Sequence, residues 1–205
     1  MKYSSSLCQA DNAILIAIDF QPKVFQHTIE WEDVKGLAIK MLKLADLFQV
    51  PTIVCEQYPQ GLGHTDSDML AVFEAMTSDK AVFPKLSFGS CGENNFLALL
   101  SEKASIIKKN RKDLPEDAPV DLIIMGIESH ICVLQTSLEL LQVKGYRLVL
   151  ADDCITGRSI RRHHLAMSRL QQEGAIISNF ESIAFEWTRR KDHANFKKMS
   201  QLIRE

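Results

Sequence analysis

The sequence predicts an α/β fold of three layers, α/β/α, in which a mostly parallel, doubly wound sheet of six strands lies between helices. Short apolar runs alternate along the chain with longer segments of helical pattern. Strands that alternate with helices in this way pair in parallel, through right-handed crossovers. With 205 residues, 46% of them hydrophobic and 24% charged, the chain has the size and composition of one globular domain. We therefore expect a single domain over residues 1–205, with 1–12 as a short N-terminal extension.

The first half of the chain contains three predicted strands and three predicted helices. Ala13–Ile18 is apolar without alternation, which is typical of a strand buried on both faces. Val50–Cys55 is similar, with its proline near the start, where a strand tolerates it. Ala81–Phe83 is a brief third strand. The predicted helices are Glu32–Gln49, whose apolar residues form one face opposite its lysines, Asp66–Met76, and Asn95 to about Lys109.

The second half continues the alternation after a polar loop, Arg111–Pro119. Leu122–Met125 is a wholly apolar run and is predicted to be a buried strand. A helix follows almost at once, with Ser129 as its N-cap and apolar residues at helical spacing to Leu141. The remaining predictions are strands Tyr146–Leu150 and Gly174–Ser178, a loop over residues 152–157, and helices Ser159–Glu173, Glu181–Trp187 and Asn195–Ile203.

The junction between the fourth strand and the following helix places Cys132 in the first turn of that helix. Unpaired backbone N–H groups and the helix dipole favour an anion there, which lowers the pKa of a thiol. A thiolate attacks carbonyl carbons, so this is a position for a catalytic nucleophile. A small cysteine that packs beneath the helix fits the same pattern.

Charged residues follow two other strands, Asp19 after the first and Lys85 after the third. If the strand order is 3-2-1-4-5-6, the first and fourth strands are neighbours and Asp19 lies beside Cys132. Lys85 starts farther out, so its loop must fold back to reach them. Taken one at a time, each residue also fits an ordinary solvated or capping role.

Composition and charge exclude several classes of protein. The net charge of −2 gives no general reason to expect nucleic acid or an anionic membrane as a partner. The five cysteines are scattered, without zinc-binding spacing, which favours a reduced intracellular compartment. No signal-like segment and no apolar run of membrane-spanning length occur, so we expect a cytoplasmic protein.

Three separated motifs together resemble those of the isochorismatase-like cysteine hydrolase superfamily, and most closely the eukaryotic isochorismatase domain-containing proteins. They are Asp19-x-Gln21 after the first strand, Lys85 after the third, and residues 126–133, Gly-Ile-Glu-Ser-His-Ile-Cys-Val, after the fourth. Residues 56–63 and the tail from Phe196 to Ile203 fit the same subgroup.

The resemblance implies a catalytic triad of Asp19, Lys85 and Cys132. Cys132 is then the nucleophile, Asp19 the general acid and base, and Lys85 the cation that stabilises the thiolate. It also implies an oxyanion hole of backbone N–H groups at Glu128 and Cys132, and a cis peptide bond between Ile127 and Glu128. The family further suggests a homo-oligomer, a dimer or larger.

Differences between the motifs of this chain and those of related families narrow the range of reactions that we expect. Nicotinamidases of this superfamily carry an Asp-x-His metal motif after the second strand, where this chain has Glu56-Gln57-Tyr58. We therefore expect no metal and no cofactor. True isochorismatases lack the nucleophilic cysteine, so its presence favours a small amide-like or other acyl substrate.

Residues beside the three motifs are candidates for substrate binding, although packing roles suit them as well: Gln21, Phe25, Tyr58, Phe88, Ile127 and His130. Two functions compete with a hydrolase. One is a binding or interaction module that keeps the triad but turns over little. The other is nucleic-acid binding through the basic residues between 158 and 164, for which a solvated helix face is the simpler explanation.

Overall fold

A computed structural model describes residues 6–111 and 114–205. Within them, six strands form one sheet in the order β3-β2-β1-β4-β5-β6, and every neighbouring pair is parallel. The strands are β1 (Ala13–Ile18), β2 (Thr52–Gln57), β3 (Lys80–Lys85), β4 (Val120–Ile127), β5 (Tyr146–Thr156) and β6 (Ile176–Ser178). The predicted α/β fold and its doubly wound strand order are confirmed.

Helices cover both faces of the sheet. They are α1 (Pro22–Phe25), α2 (Trp31–Leu47), α3 (Pro59–Leu62), α4 (Ser67–Ala75), α5 (Phe96–Asn110), α6 (Cys132–Leu141), α7 (Ile160–Gln172), α8 (Phe180–Thr188) and α9 (Phe196–Arg204). Helices α2, α4, α8 and α9 pack on one core, whereas α5, α6 and α7 pack on the other. No helix among the described residues is long and apolar enough to cross a membrane.

The central strand β1 shows why its sequence lacks polar alternation. Ile14, Ile16 and Ile18 belong to the core under α5, α6 and α7. The residues between them, such as Leu15 and Ala17, belong to the core under α2 and α8. Both faces of β1 are therefore buried, and its carboxyl end opens on the edge where ligands bind in such sheets.

Two predicted boundaries near this edge are wrong. The segment predicted as a loop, residues 152–157, continues strand β5 to Thr156, because a register shift opposite Ile124 and Gly126 lets the pairing with β4 resume. Ser129 is not an N-cap. Its N–H group donates to the carbonyl oxygen of Thr156 at 2.7 Å, and α6 begins only at Cys132 after a short turn.

The start of the chain is partly described, since residues 1–5 of the predicted extension lie outside the described ranges. The described remainder packs on the domain. The N–H group of Cys8 donates to the Glu186 carboxylate at 2.6 Å, and the amide of Asn12 donates to the carbonyl of Pro119 at 2.8 Å. All five cysteines, Cys8, Cys55, Cys91, Cys132 and Cys154, are free thiols.

Candidate active site

Asp19 lies immediately beyond β1, where the strand passes very close to β4. Its φ of 57° turns the chain out of the sheet, while its N–H group still donates to Cys55 at 3.0 Å. Gly126 on β4 makes the close approach to β1 possible. With a φ of 145°, it occupies a position where a β-carbon would collide with the carbonyl oxygen of Ile18. The Asp19 side chain is thereby held at the strand end, 1% exposed.

Lys85 is the last residue of β3 and reaches Asp19 across the end of β2. Its Nζ donates to Asp19 Oδ2 at 2.7 Å, to Gln57 Oε1 at 2.6 Å and to the carbonyl of Phe88 at 3.1 Å. Its ammonium therefore has an acceptor for each of its three donors, which a buried charge requires. The predicted meeting of Lys85 and Asp19 occurs.

The loop after Lys85 folds back over its ammonium. Both Leu86 and Ser87 donate backbone N–H bonds to the Glu93 carboxylate, at 2.8 and 2.7 Å. Gln57 holds the loop from the other side, since its amide donates to the carbonyl of Leu86 at 2.7 Å. The sequence reasoning missed Gln57 as a site residue. The feature of the sequence that indicates such a role for Gln57 is a polar side chain at the carboxyl end of a buried strand.

Cys132 is the first residue of α6 and is 7% exposed. Its thiol interacts with the Asp19 carboxylate. Lys85 binds only one oxygen of that carboxylate. The other, Oδ1, is buried and has no hydrogen-bond partner among the described residues.

The prediction that the helix terminus lowers the pKa of Cys132 is wrong in its net direction. Burial, followed by the negative charge of Asp19, raises the pKa of this thiol, and the nearby Lys85 lowers it by less. Burial also raises the pKa of Asp19, against the opposing pull of Lys85. The resting site therefore holds a neutral Cys132 thiol beside the Asp19–Lys85 ion pair.

The turn between β4 and α6 contains the peptide bond predicted to be cis, Ile127–Glu128, and it is cis in the structure. The carbonyl of Glu128 accepts bonds from Ile131 at 3.0 Å and Val133 at 3.3 Å. At the start of α6, the N–H of Cys132 belongs to the first turn, whose N–H groups have no intrahelical acceptors. The backbone N–H groups of Glu128 and Cys132, which are expected to form the oxyanion hole, therefore lie at the two ends of the turn between β4 and α6.

The side chain of Glu128 forms an ion pair with Arg158, which the sequence did not predict. Arg158 contacts both carboxylate oxygens, at 2.8 and 2.9 Å, and His130 lies 3.5 Å away. Burial lowers the pKa of His130, although Glu128 opposes the shift. Arg158, first considered with a basic helix face, thus neutralises a carboxylate beside the nucleophile.

Three of the predicted substrate-binding residues have packing or positioning roles instead. Gln21 is fully buried, and its amide bonds to the backbone of Gln57 and Gly63, so it has no group left for a substrate. Phe25 packs between Phe20 and Trp31, at centroid distances of 5.7 and 5.4 Å. Like Phe25, Ile127 belongs to the core on the sheet face away from Cys132.

The other predicted substrate-binding residues lie at the surface around the site. Tyr58 and Phe88 are half exposed, on the loops that follow β2 and β3. The backbone N–H group of Tyr58 donates to the carbonyl of Lys85, and the carbonyl of Phe88 accepts from the Lys85 ammonium. His130 is partly exposed beside Glu128. These three side chains remain candidates for contact with a substrate.

The residues at the position of the nicotinamidase metal motif are engaged in loop contacts. Glu56 accepts from the N–H and hydroxyl of Thr65 at 2.8 and 2.9 Å, and from His64 at 2.9 Å. In the described part of the chain, no group of three or more His, Cys, Asp or Glu side chains is arranged to hold a metal ion.

Known proteins resemble this chain in sequence over most of its length. The family model of the isochorismatase domain matches residues 13–182. Isochorismatase family protein 1A of Dictyostelium discoideum is 32% identical over 95% of this chain and 87% of its own length. Isochorismatase domain-containing protein 2 of Bos taurus is 30% identical over 95% of this chain and 84% of its own.

Two solved structures have the same fold. One, described as the MAR1 ribonuclease of Caenorhabditis elegans, has a TM-score of 0.82 at 27% identity and covers 97% of this chain and 93% of its own. The other, the YcaC gene product of Escherichia coli, described as an octameric hydrolase of unknown specificity, has a TM-score of 0.79 at 19% identity, covering 98% and 92%. The chain resembles eukaryotic isochorismatase domain-containing proteins over most of its length, and it belongs to the isochorismatase family of hydrolases.

Proposed function

We propose that this protein is a metal-independent cysteine hydrolase, which acts through the Cys132 thiolate and an acyl-enzyme intermediate on a small amide-like or other acyl substrate. The observation that supports this best is the buried Asp19–Lys85 ion pair, 2.7 Å between charged atoms, beside a thiol at the start of a helix. A buried ion pair contributes little net stability, because desolvation of both charges offsets their attraction. An ion pair beside a nucleophile is instead suited to catalysis, in which its carboxylate transfers protons and its ammonium stabilises negative charge.

In the first step, the Cys132 thiol gives its proton to Asp19 as its sulfur bonds to the substrate's carbonyl carbon. Proton transfer and attack are coupled because the resting thiol is neutral. The thiolate forms only when the electrophile is present, and Lys85 then supplies a positive charge to the site. Asp19 remains within reach of the leaving nitrogen.

The tetrahedral intermediate carries a negative charge on the former carbonyl oxygen. We assign its stabilisation to the backbone N–H groups of Cys132 and Glu128. Such donors are worth roughly 3–4 kcal/mol each in well-studied hydrolases. The Arg158–Glu128 ion pair favours this role, since it prevents the Glu128 carboxylate from placing an uncompensated negative charge beside the oxyanion.

Collapse of this intermediate breaks the C–N bond and completes the first half-reaction, and Asp19 returns its proton to the departing amine. A thioester to Cys132 and an Asp19 carboxylate remain. Asp19 then takes a proton from water, whose oxygen attacks the thioester carbon. Collapse of this second intermediate breaks the C–S bond, the acid product leaves, and the departing sulfur of Cys132 regains a proton from Asp19.

The charge balance of the site favours a neutral substrate. Asp19 is matched by Lys85 and Glu128 by Arg158, so the described groups around the thiol sum to no net charge. Access is narrow, because Cys132 is almost fully buried. A small uncharged amide or carbamoyl compound fits these limits better than a polymer.

The test is a panel of small amides and carbamoyl compounds, assayed by product release with wild type, Cys132→Ser and a matched variant, Cys91→Ser. We expect at least one compound to be hydrolysed, with activity lost in Cys132→Ser and kept in Cys91→Ser. RNA is included because one similar structure is described as a ribonuclease. Hydrolysis that survives in Cys132→Ser, or cleavage of RNA alone, contradicts the proposal. Ligand binding without turnover would support a binding module.

A further inference from the structure

Gln57 is the last residue of β2, the strand that lies between β1 and β3, and it is buried at the candidate active site. Its Oε1 accepts from Lys85 Nζ at 2.6 Å, and its Nε2 donates to the carbonyl oxygen of Leu86 at 2.7 Å. The partners fix the orientation of the amide, because an ammonium only donates and a carbonyl oxygen only accepts. The position therefore requires a side chain with an acceptor at one atom and a donor at the other.

The backbone of Gln57 is held by a second buried amide, that of Gln21. The N–H group of Gln57 donates to Gln21 Oε1 at 2.8 Å, and its carbonyl oxygen accepts from Gln21 Nε2 at 2.9 Å. In the register of β2 and β3, Gln57 lies opposite Lys85, so the two side chains leave the same face of the sheet. Gln21, first considered for substrate binding, thus holds Gln57 where its side chain reaches Lys85.

The neutrality of Gln57 matters because Lys85 has a single positive charge. Among the described residues, Asp19 is the only carboxylate in contact with its ammonium. The other close acceptors, Gln57 Oε1 and the carbonyl oxygen of Phe88, are neutral. A carboxylate in place of the amide would set two negative charges against one ammonium, and when ionised it would have no hydrogen to donate to the loop after β3.

We propose that Gln57 is a positioning residue, which keeps the Lys85 ammonium paired with a single carboxylate beside Cys132 and holds the loop after β3 over it. This inference rests on the proposed hydrolase function, in which the ammonium stabilises negative charge on the thiolate. Four titratable groups from different elements interact with the ammonium: Asp19 after β1, Cys55 on β2, Glu93 after β3 and Cys132 on α6. Glu128, which is paired with Arg158, also acts on the thiol.

The test is alkylation of Cys132 by iodoacetamide in the full chain at constant ionic strength, followed by peptide mass spectrometry with Cys91 as internal reference. Gln57→Glu keeps the size of the side chain and adds one negative charge. At about pH 8 we expect it to slow alkylation of Cys132 by about tenfold, because two carboxylates then oppose the charge that favours the thiolate. Gln57→Met adds no charge and is expected to slow alkylation less. The matched control, Gln60→Glu, adds the same charge at an exposed position on α3 and is expected to react within about twofold of wild type.

The pH dependence separates a change of charge from a loss of packing. Acid protonates the new carboxyl group in Gln57→Glu, which then again offers one donor and one acceptor. Its alkylation rate relative to wild type is therefore expected to rise toward one as the pH falls to about 5, whereas the relative rate of Gln57→Met is expected to stay constant. Three results overturn the proposal: equal rates in Gln57→Glu and Gln60→Glu, equal slowing in Gln57→Glu and Gln57→Met, or slowing in Gln57→Glu that does not depend on pH.

A measurement on wild type does not depend on a variant that folds. The side-chain amide of Gln57 is buried and hydrogen-bonded, so NMR is expected to show its hydrogens exchanging with water at least about tenfold more slowly than those of the exposed Gln60. Equal exchange of the two amides contradicts the proposal. Alkylation requires no turnover. If the Cys132 rates follow the expected order but no amide of the panel is hydrolysed, the hydrolase function fails and the role of Gln57 at the thiol stands.

Discussion

At the scale of single residues, the charge state of three side chains decides the chemistry. Cys132, Asp19 and Lys85 share one buried space, and each changes the charge that its neighbours can hold. The helix terminus alone suggested a stable thiolate. Burial and the Asp19 carboxylate outweigh it, so the thiol is neutral until it reacts. Solvent exclusion by distant residues is a tertiary property, which explains why local sequence reasoning missed it.

Lys85→Met tests the ion pair through stability. The variant leaves Asp19 buried without its cation, so we expect the free energy of unfolding to fall by about 3–5 kcal/mol at neutral pH. Loss of Lys85 raises the pKa of Asp19 further, and the deficit shrinks as acid protonates the carboxylate. Urea unfolding at neutral and acid pH measures both effects.

Lys103→Met is the matched control for that experiment. Lys103 is also buried, but its partner Asp79, 2.8 Å away, is half exposed. A carboxylate in contact with water tolerates loss of its cation, so we expect a cost of about 1 kcal/mol or less from the lost pair. Equal losses of unfolding free energy in the two variants would mean that burial of both charges of the Asp19–Lys85 pair has no effect on the cost of removing its cation.

At the scale of elements, the site depends on how closely β1 and β4 approach. Both strands end at the same edge, and their carboxyl ends deliver Asp19 and, through a short turn, Cys132. Gly126 faces the carbonyl of Ile18 at this point, with a backbone conformation that L-residues rarely adopt. The glycine is a requirement of the site's geometry as well as of the fold.

Gly126→Ala is expected to lower the free energy of unfolding by roughly 2–4 kcal/mol, because it adds a backbone collision to an unfavourable φ. Gly36→Ala is the control. Gly36 lies exposed within α2, where an added β-carbon would have no neighbour within 4 Å, and alanine there is expected to stabilise by about 0.5–1 kcal/mol. Urea unfolding of both variants gives the comparison. An unchanged free energy of unfolding in Gly126→Ala would show that β1 and β4 can move apart at this point without cost.

The elements near the site also show where sequence reasoning stops. The alternation of apolar runs and helical segments predicted a parallel sheet, for which the order 3-2-1-4-5-6 was assumed, and the structure has that order. The meeting of Lys85 with Asp19 was conditional on a loop that the structure shows folding back. The extension of β5 to Thr156 was not predictable. It depends on a register shift against β4, and pairing across strands leaves no local pattern in the sequence.

At the scale of the whole molecule, an apolar patch lies beside the active-site edge. Strand β3 is at one end of the sheet, and four large apolar side chains on it or next to it are well exposed: Tyr58, Val82, Leu86 and Phe88. Leu86 is the most exposed of them, at 70%. An uncovered edge strand with apolar neighbours is a typical site of association.

We expect a homo-oligomer whose interface includes this patch. Size-exclusion chromatography with light scattering is expected to give a mass above that of one 23.2 kDa chain, and Leu86→Glu/Phe88→Glu to reduce it. Phe185→Glu, which changes a similarly exposed residue on α8, is expected to leave the mass unchanged. A wild-type monomer, or equal dissociation in both variants, contradicts this prediction.

Asp19→Asn tests the central claim, that one carboxylate both adds to the effect of burial in keeping the thiol neutral and moves the protons of catalysis. Burial still raises the pKa of Cys132 in this variant, but asparagine removes the second cause, the negative charge of Asp19, and keeps Lys85 nearby, so alkylation of Cys132 by iodoacetamide near neutral pH is expected to become faster. Hydrolysis of an amide found in the substrate panel is expected to fall by about 10²–10⁴-fold, because the general acid and base is lost. Peptide mass spectrometry reports alkylation at each cysteine, with Cys91 as internal reference. Faster alkylation with lost turnover supports the mechanism, whereas slower alkylation of Cys132 or undiminished turnover in Asp19→Asn contradicts it.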